Sequence, residues 1–187
     1  MGLIVPRRFN ATTSLISYPA NVTQDVSDQT IFAQFMYVGV GEGTFNYIYS
    51  LCDPTATTNG IRFFVNNVNK VLFGASDGGG GSPQFSPTAV ATQGALMTVA
   101  VTYDVDTSIQ MFQSANGGPL TDAGGSLSSG TYGPYVQPVG KLPTIGNRSG
   151  GDRTFNGDIF RVARWNRILS VTELQLVQFC GAAAVPQ

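Results

Sequence analysis

Residues 155–173 read Phe-Asn-Gly-Asp-Ile-Phe-Arg-Val-Ala-Arg-Trp-Asn-Arg-Ile-Leu-Ser-Val-Thr-Glu, and this stretch is the most informative about the fold. Within it, residues 158–165 are rich in β-branched and aromatic side chains, which predicts a strand. Ser170 then precedes Glu173 by three positions, the spacing of a capping box in which each side chain bonds the backbone N–H of the other residue. Apolar residues follow as far as Gly181, which favours the end of a helix. We therefore predict a strand and one short helix that must pack on the rest of the fold, because so short a helix is unstable alone.

Strand signals also dominate the chain before this stretch. Seven runs rich in Val, Ile, Phe, Tyr and Thr are bounded by turn-forming residues, and they are residues 15–18, 30–40, 45–52, 61–66, 70–75, 96–103 and 108–113. In the run 96–103 the odd-numbered residues are apolar and the even-numbered ones are mixed. One face of that strand is therefore predicted to be core and the other half-covered. No repeat or linker composition divides the chain, so residues 1–187 are predicted to form a single domain.

Two stretches are predicted to be flexible surface loops. Residues 76–87 contain four consecutive glycines at 78–81, and residues 115–138 are rich in Gly, Ser and Pro. The glycines do not predict a phosphate-binding loop, because no Lys-Ser or Lys-Thr pair follows them and no helix pattern begins there.

The composition excludes several classes of protein. Hydrophobic residues make up 42% of the 187 residues and charged residues 11%, against a usual charged share of about 25%. A disordered chain would need low hydrophobicity and high charge, so this chain is expected to fold. The net charge is −1 and the ten basic residues are scattered. The small basic group of Arg161, Arg164 and Arg167, preceded by Arg148 and Arg153, is interpreted as a solvated strand face, and no nucleic-acid or anionic-membrane partner is predicted.

The start of the chain and the cysteines indicate where the protein is expected to reside. Residues 1–8 place their charges after a very short apolar stretch, which reverses the order of a signal peptide. No apolar run approaches the roughly 18 residues needed to span a bilayer. We therefore expect a protein made in a host cytoplasm, without a leader or a transmembrane segment. Cys52 and Cys180 each lie among apolar neighbours and are predicted to be free, buried thiols.

Catalytic chemistry is poorly represented in the sequence. The chain has no His, which removes His-based triads and most zinc sites. It has two Glu residues, Glu42 and Glu173, and Glu173 is already explained as a helix cap. Glycoside hydrolases need two carboxylates about 5–10 Å apart, and no strand carries a suitable pair. The sequence therefore predicts a protein that is not an enzyme and has no catalytic residues.

Asp104 and Asp106 are the carboxylates that come nearest to such a catalytic pair. They lie in the segment Tyr-Asp-Val-Asp-Thr between two predicted strands. The favoured interpretation is that they shape a hairpin turn. A Ca²⁺ site is the alternative, because carboxylates at positions i and i+2 can share a hard cation. No other metal or cofactor is predicted.

Four residues near the closing segment are weak candidates for ligand binding. Asn147, Arg148 and Asp152 lie in a polar loop that could hold a sugar or a cation, although ordinary loop structure is the favoured interpretation. Trp165 is the only tryptophan, and a surface Trp would suggest a platform on which a sugar stacks. A Trp in a strand just before a helix more often belongs to the core.

The closing segment resembles that of laminin-G-like and concanavalin A-like jelly-roll domains. The resemblance begins with Thr-Ile-Gly-Asn at residues 144–147 and continues through Phe-x-Gly-x-Ile, Val-x-x-Trp-Asn and Leu-Ser-x-x-Glu in residues 155–173. Residues 97–104 resemble the central strand and following turn of that family, and residues 8–10 with 30–35 resemble its opening strands. In this alignment Gly157 would permit a tight turn, while Ile159 and Val162 would belong to the core.

The resemblance implies an all-β fold of two packed antiparallel sheets, with roughly 12 to 14 strands and ligand loops at one rim or on the concave face. Members of the family often bind glycans or proteins, some of them through Ca²⁺, and a minority are glycosidases. This sequence departs from the glycosidases because it lacks their Glu pattern, and it has no clear set of calcium ligands.

Two functions are left open by these observations. A chain that starts at its own Met, with low charge, no leader, no catalytic constellation and Gly-rich loops, favours a bacteriophage virion structural protein. It would be a capsid decoration or tail-associated protein on the virion surface. Its expected partners are the major capsid protein or tail proteins, further copies of itself, and a cell-surface glycan of the host. The alternative is a free-standing carbohydrate-binding, lectin-like module in which Tyr132, Tyr135 or Trp165 stacks on sugars.

Overall fold

Two antiparallel β-sheets and one α-helix form the fold in a computed structural model, which describes residues 7–10, 12, 14–17, 28–52, 59–77, 84–133, 135, 138, 140–148 and 150–186. The strands of these residues are β1 (Arg7–Asn10), β2 (Ile16–Ser17), β3 (Gln29–Tyr37), β4 (Asn46–Cys52), β5 (Asn59–Val65), β6 (Val71–Asp77), β7 (Gln84–Ser86), β8 (Met97–Asp104), β9 (Ser108–Ala115), β10 (Thr121–Asp122), β11 (Ser126–Ser129), β12 (Thr144–Ile145) and β13 (Asn156–Trp165). The helix α1 spans Val171–Cys180, and short 3-10 turns lie at Glu42–Thr44 and Ala182–Ala184.

The described strands divide into two sheets. The six-stranded sheet has the order β1-β13-β3-β8-β9-β10, and the seven-stranded sheet has the order β11-β7-β6-β5-β4-β12-β2. Strands distant in sequence are therefore neighbours in space, as when β13 pairs with β1 and β3. The predicted two-sheet antiparallel sandwich with one short C-terminal helix is confirmed.

The main hydrophobic core lies between the two sheets. Along β8, the odd-numbered residues from Met97 to Tyr103 are at most 1% exposed, as the alternation predicts. At the centre of the core the ring of Phe155 meets two others edge-on, with centroids 6.3 Å from Phe9 and 5.8 Å from Phe35. Such edge-to-face contacts align the positive edge of one ring with the negative face of the next. These contacts join β1, β3 and the start of β13.

The helix α1 packs on the outer face of the six-stranded sheet. The predicted capping box is present: the Glu173 backbone N–H donates to Ser170 Oγ at 3.3 Å, and the Ser170 N–H donates to Glu173 Oε2 at 2.8 Å. Leu174 and Val177 are fully buried and form a second core cluster with Trp165. Among the described residues, no helix has the length and apolar character needed to cross a membrane.

This packing corrects the prediction that the even-numbered face of β8 is half-covered. Thr98 and Ala100 are both fully buried. The reason is that α1 and the segment around Val185 complete a second apolar layer over this face. The alternation in the sequence shows which face of β8 is more apolar, but it carries no information about a helix that arrives from 70 residues further along the chain.

The basic group near the C-terminus also differs from its prediction as a solvated strand face. Arg161 Nη1 donates to the Val177 carbonyl at 2.9 Å, in the last turn of α1. Arg167 Nη2 donates to Glu173 Oε1 at 2.8 Å, in the first turn. Arg164 is likewise partly buried and bonds a glutamine of β3. Arg161 and Arg167 tie the helix to the covered face, and Arg164 bonds residues outside the helix, so the three are structural groups rather than a freely solvated face.

Several predicted boundaries change. The stretch 115–138, predicted as a loop, contains β10 and β11, while 76–87 contains the end of β6 and all of β7. β7, β10 and β11 are too short to show alternation in the sequence. The predicted strand 30–40 ends at Tyr37, and glycines 78–81 lie outside the described residues. Tyr18, the last residue of the predicted strand 15–18, also lies outside them.

Neither cysteine forms a disulfide, and the two thiols lie in different surroundings. Cys52 is buried at the end of β4, whereas Cys180 is exposed at the last position of α1. The prediction of two buried thiols is therefore wrong for Cys180, because the helix turns that residue away from the sheet that it covers.

Candidate functional site

A groove opens on the outer face of the seven-stranded sheet, the face that α1 does not cover. It has a volume of about 300 Å³ and lies over β4 to β7, beside the loop that precedes β13. Its described lining combines aromatic, apolar, amide and guanidinium side chains: Phe45, Tyr47, Arg62, Phe64, Asn66, Asn67, Leu72, Gln84, Arg148 and Arg153. We call the space between these ten residues the groove.

The floor of the groove is apolar because cross-strand neighbours present apolar side chains on the same face. Tyr47 of β4 lies opposite Phe64 of β5, which lies opposite Leu72 of β6. The rings of Tyr47 and Phe64 are stacked, with centroids 5.1 Å apart and planes 11° apart, and Phe45 meets Phe64 edge-on at 5.4 Å. Tyr47, Phe64 and Leu72 are at most 6% exposed, whereas Phe45 is half-buried. Phe45 therefore offers the ring surface that a ligand could reach.

A register shift in β4 allows this strand to serve both the core and the groove. Tyr47 lies opposite Phe64, but Tyr49 lies opposite Phe63, so two steps along β4 match one step along β5. Ile48 and Tyr49 both join the core between the sheets, while Tyr47 faces outward. Such a shift re-aims side chains at the edge of a site without ending the strand.

The next row of cross-strand neighbours is polar. Arg62 of β5 lies opposite Gly74 of β6, and Gly74 lies opposite Gln84 of β7. The guanidinium of Arg62 extends across the glycine, since a Cβ on Gly74 would lie 3.3 Å from Arg62 Nη2 and 3.4 Å from Nε. These distances are shorter than ordinary van der Waals contacts. The absence of a side chain at Gly74 therefore leaves room for the Arg62 guanidinium to lie on the sheet, on the side toward Gln84.

Asn147 organises the loop that carries the other two arginines of the groove. Its Oδ1 accepts from the backbone N–H of Arg148 at 2.8 Å and from that of Arg153 at 2.9 Å. Its Nδ2 donates to Thr154 Oγ1 at 2.7 Å. Because Asn147 is fully buried and uses both ends of its amide inside the protein, it shapes the loop rather than presenting a polar group to a ligand.

Arg148 and Asp152 form a bidentate ion pair within this loop. Arg148 Nε donates to Asp152 Oδ1, and Arg148 Nη2 donates to Asp152 Oδ2. The Arg148 side chain is 9% exposed and that of Asp152 is 45% exposed. The guanidinium holds the pKa of Asp152 below its usual range, chiefly by hydrogen bonding. Arg148 therefore fills the wall of the groove with its charge largely matched.

Arg153 lies over the edge of the groove on the Phe45 ring. Its Cζ is 5.2 Å from the ring centroid, within the range of a cation–π contact. Its Nη1 donates to the carbonyls of Gly43 and Asp152, both at 3.4 Å. Gly43 has a φ of 60°, and a Cβ there would lie 1.6 Å from Arg153 Nη1, so a side chain at position 43 would displace the guanidinium. The 3-10 turn before β4 thus sets the position of Arg153.

Burial and the charges of three arginines both affect the pKa of the Tyr47 phenol. Burial raises the pKa of Tyr47 to about 12, while the positive charges of Arg62, Arg148 and Arg153 act in the opposite direction and lower it. Because burial dominates, the phenol stays protonated at neutral pH. Arg62, Arg148 and Arg153 line the groove together with Tyr47.

Comparison with protein families identifies the superfamily to which the fold belongs. The family model described as the concanavalin A-like lectin/glucanases superfamily matches residues 10–175, which is most of the chain. The chain belongs to the concanavalin A-like lectin/glucanase superfamily. The resemblance read from the closing segment is confirmed. A search of curated protein sequences found no match.

Solved structures with this fold include carbohydrate-binding and pentraxin domains. The CBM40 domain of the Ruminococcus gnavus IT-sialidase, bound to α2,3-sialyllactose, is 16% identical, with a TM-score of 0.64 over 95% of this chain and 99% of that chain. The heptameric SAP-like pentraxin of Limulus polyphemus is 15% identical, with a TM-score of 0.57 over 94% of this chain and 86% of that chain.

A sialidase also contains a domain of this shape. A variant of the NanB sialidase of Streptococcus pneumoniae is 16% identical to the chain, with a TM-score of 0.65. The match covers 91% of this chain but 27% of that enzyme. At these identities the likeness shows the shared superfamily fold alone.

Two of the three aromatic residues that were candidates for stacking on sugars are buried in the structure. Trp165 is fully buried beside α1, and its indole N–H donates to the Val185 carbonyl at 3.3 Å. The core interpretation of Trp165 is confirmed, and its candidacy as a stacking platform is corrected for that reason. Tyr135 is 1% exposed, so it too lacks a free face, whereas Tyr132 is 37% exposed.

Asp104 and Asp106 form a turn rather than a recognisable metal centre. Asp104 Oδ1 accepts from the backbone N–H groups of Asp106 at 3.0 Å and Thr107 at 3.1 Å. These bonds, led by one to the Thr107 side chain, lower the pKa of Asp104. Within the described ranges, no three metal-ligating Cys, Asp or Glu side chains lie together. These bonds agree with the hairpin-turn interpretation, and the alternative Ca²⁺ site at Asp104 and Asp106 stays a prediction.

The structure brings Arg148 to the groove and places Asp152 behind it as its partner. Most other groove residues were missed by the sequence analysis. Arg62 offered the one available signal, a charge in the middle of the apolar run Gly-Ile-Arg-Phe-Phe-Val. Phe45, Tyr47 and Phe64 read as ordinary strand residues, because their outward direction depends on the register of β4 and β5.

Proposed function

We propose that the chain is a non-catalytic carbohydrate-binding domain that holds its ligand in the groove on the seven-stranded sheet. The observation that carries this proposal is the contrast in one fold between two outer faces. One is closed by a helix, and the other carries an open groove with an aromatic floor and a polar rim.

The side chains of the groove suit a saccharide. A sugar ring has an apolar face that stacks on an aromatic ring and hydroxyl groups that need donors and acceptors. Phe45 supplies the accessible ring, and Asn67, Gln84 and Arg62 supply amide and guanidinium groups around it. A volume of about 300 Å³ lies at the lower end of the range for small-ligand sites, so the groove would hold the end of an oligosaccharide.

The family and its solved relatives agree with this proposal. The superfamily is described by its lectins and glucanases, and the Ruminococcus gnavus domain of the same fold is bound to a sialylated sugar. A shared fold does not transfer a ligand, so the support specific to this chain is the chemistry of the groove itself.

The proposal includes no catalytic step. Hydrolysis of a glycosidic bond requires two carboxylates about 5–10 Å apart across the bond. The described lining of the groove contains no Asp or Glu, and the nearby Asp152 is engaged by Arg148. That the protein is not an enzyme remains a prediction.

The test is a glycan array with the full chain and two matched phenylalanine variants. Phe45→Ala removes the accessible ring of the groove, and Phe179→Ala removes a Phe that is 64% exposed on α1, on the opposite face. We expect the wild type and Phe179→Ala to bind the same glycans and Phe45→Ala to lose them. Equal binding by both variants, or no bound glycan for the wild type, would contradict the proposal.

The virion structural role is a second candidate, and the comparisons support it less than the carbohydrate-binding role. One observation favours an assembly: apolar side chains are exposed on and just before α1, namely Ile168, Val171, Leu176 and Phe179. Such side chains can mark a contact with a neighbour. Native mass measurement with electron microscopy would test it, because a decoration protein forms a symmetric oligomer or occupies a lattice. A monomer at all concentrations would contradict this role.

A further inference from the structure

Three of the chain's ten basic residues line one groove. Arg62, Arg148 and Arg153 are all among its ten described lining residues, in a protein whose net charge is −1. No Asp or Glu is among those lining residues. A local excess of positive charge on a nearly neutral protein points to what the groove binds rather than to the solubility of the chain.

The three arginines differ in how much of their charge is already matched. Arg148 is committed to Asp152 through two hydrogen bonds. Arg62 and Arg153 form no ion pair with any residue that the structure describes. Arg153 reaches only two carbonyls, at 3.4 Å each, and the Phe45 ring. Two partly buried guanidinium groups therefore line the groove without a carboxylate partner among the described residues.

Arg8, Arg161 and Arg167 lie elsewhere in the described structure and each has at least one specific partner, although Arg161 Nε is buried without one. Arg8 pairs with Asp158 at 2.7 Å, and Arg167 pairs with Glu173 at 2.8 Å. Arg161 donates to a helix carbonyl at 2.9 Å. Arg62 and Arg153 thus differ from Arg8 and Arg167, whose charges are matched by carboxylates.

The backbone is also shaped to hold these two side chains in place. Gly74 leaves room for the Arg62 guanidinium, and Gly43, in the left-handed region at φ 60°, leaves room for that of Arg153. A guanidinium held in one orientation presents a planar fork of N–H donors, which matches the two oxygens of a carboxylate or a sulfate.

We propose that the groove is specific for acidic saccharides, with Arg62 and Arg153 binding an anionic substituent while the sugar ring lies against Phe45. The inference rests on the proposed function, which it narrows from carbohydrates in general to those that carry a carboxylate or a sulfate. A polyanion such as a nucleic acid is a poorer match, because the groove is short and no basic stripe continues from it.

The experiment measures affinity by calorimetry for three sugars that differ in charge: lactose, 3′-sialyllactose and 6′-sulfolactose. The full chain is used throughout. We expect at least one acidic sugar to bind about tenfold or more tightly than lactose, because charge-assisted hydrogen bonds are stronger than neutral ones. Tighter binding of sialyllactose would identify a carboxylate as the anion, and tighter binding of sulfolactose would identify a sulfate.

Arg62→Gln and Arg153→Gln each remove one charge from the groove, and Arg8→Gln removes one charge from β1 as the matched control. We expect the two groove variants to lose about tenfold or more in affinity for the acidic sugar, and to lose clearly less in affinity for lactose, which carries no charge for these guanidinium groups to bind. Arg8→Gln should behave as the wild type. The advantage of the acidic sugar should also shrink between about 0.05 M and about 0.5 M salt, as screening requires.

Gly74→Ala provides a second variant that keeps all charges and leaves the fold intact, since it only displaces the flexible end of Arg62. It should weaken acidic-sugar binding while thermal unfolding stays unchanged. Equal affinity for lactose and both acidic sugars would overturn acidic specificity and leave the carbohydrate-binding proposal standing. Acidic-sugar binding that Arg62→Gln and Arg153→Gln do not reduce would also overturn it, and binding of no sugar at all would overturn both proposals.

Discussion

The two outer faces of the sandwich use similar residues for opposite purposes. On the six-stranded sheet, Trp165 is fully buried beneath α1 and Arg161 bonds a helix carbonyl. On the seven-stranded sheet, Phe45 remains half-buried at an open groove, and Arg62 forms no ion pair with a described residue. Aromatic and guanidinium groups stabilise the fold on the first face, whereas on the second they are left available.

Accessibility, rather than residue type, marks the candidate site. Gln178 illustrates the first face: its Nε2 donates to Ser114 Oγ at 3.0 Å and to the Gly118 carbonyl at 2.8 Å. Its Oε1 and Arg161 Nε are buried without a hydrogen-bond partner among the described residues, but they are enclosed by protein, so a ligand cannot reach them. Gln84 illustrates the second, since it is half-buried at the rim of the groove.

Truncation of the two aromatic residues that distinguish the faces should give the largest contrast. Trp165→Ala would leave a large cavity under α1 and should lower the free energy of unfolding by about 3–5 kcal/mol. Phe45→Ala should cost clearly less, because its ring is only half-buried. Urea unfolding monitored by circular dichroism measures both. Equal losses would mean that the groove residues are as structural as those of the covered face.

The two glutamines give a matched pair with a smaller effect. Gln178→Ala should lower the free energy of unfolding by about 1–3 kcal/mol, because the half-buried Gly118 carbonyl and the buried Ser114 hydroxyl lose their donor. Gln84→Ala should change it by no more than about 0.5 kcal/mol, as for most surface substitutions. Chemical denaturation of both variants tests the contrast. A large cost at Gln84 would show that the polar row on the seven-stranded sheet is needed for folding.

The capping box tests how far the covered face depends on its helix. Ser170→Ala removes the side chain that accepts from the Glu173 N–H, which should destabilise the protein by about 0.5–2 kcal/mol. Glycan binding should not change, since α1 lies on the face away from the groove. Denaturation and the glycan array together measure these outcomes. Loss of binding without loss of stability would indicate that the two faces are coupled.

The smallest predicted effect is a dependence of stability on pH. Hydrogen bonds from Arg167 and Ser170 lower the pKa of Glu173 from its ordinary 4.5 to about 2. A carboxyl whose pKa is lowered in the folded state contributes stability that is present above pH 4.5 and is lost as the pH falls toward 2. Thermal unfolding of the wild type and Glu173→Gln over this window should show a shallower pH dependence for the variant. Identical curves would contradict the assignment.

The covered face was more predictable from the sequence than the groove. Ser170 and Glu173 predict the start of the helix, because a capping box is a local pattern. The strand before it is also predicted by its own composition, without reference to distant residues. The burial of Trp165 was the favoured interpretation for the same reason, since a short capped helix must find an apolar surface close by.

The groove was not predictable because its geometry depends on cross-strand register and on distant segments. Arg62 and Arg153 are 91 positions apart in the chain, and no local pattern joins them. The shift between Tyr47 and Tyr49, which turns Tyr47 outward, leaves no mark in composition. Asn147 and Asp152 were placed in the right loop, but their side chains organise and neutralise that loop, while the arginines beside them face the groove.

Carbohydrate binding in the groove is tested most directly by an NMR titration of the isotope-labelled chain with lactose and 3′-sialyllactose, because it locates binding residue by residue. We expect at least one sugar to shift the signals of groove residues, including the side-chain amides of Asn67 and Gln84. Signals of α1 should remain in place. Shifts confined to α1 and its surroundings, or no shifts with either sugar at high concentration, would contradict the claim that the open face of the sandwich binds carbohydrate.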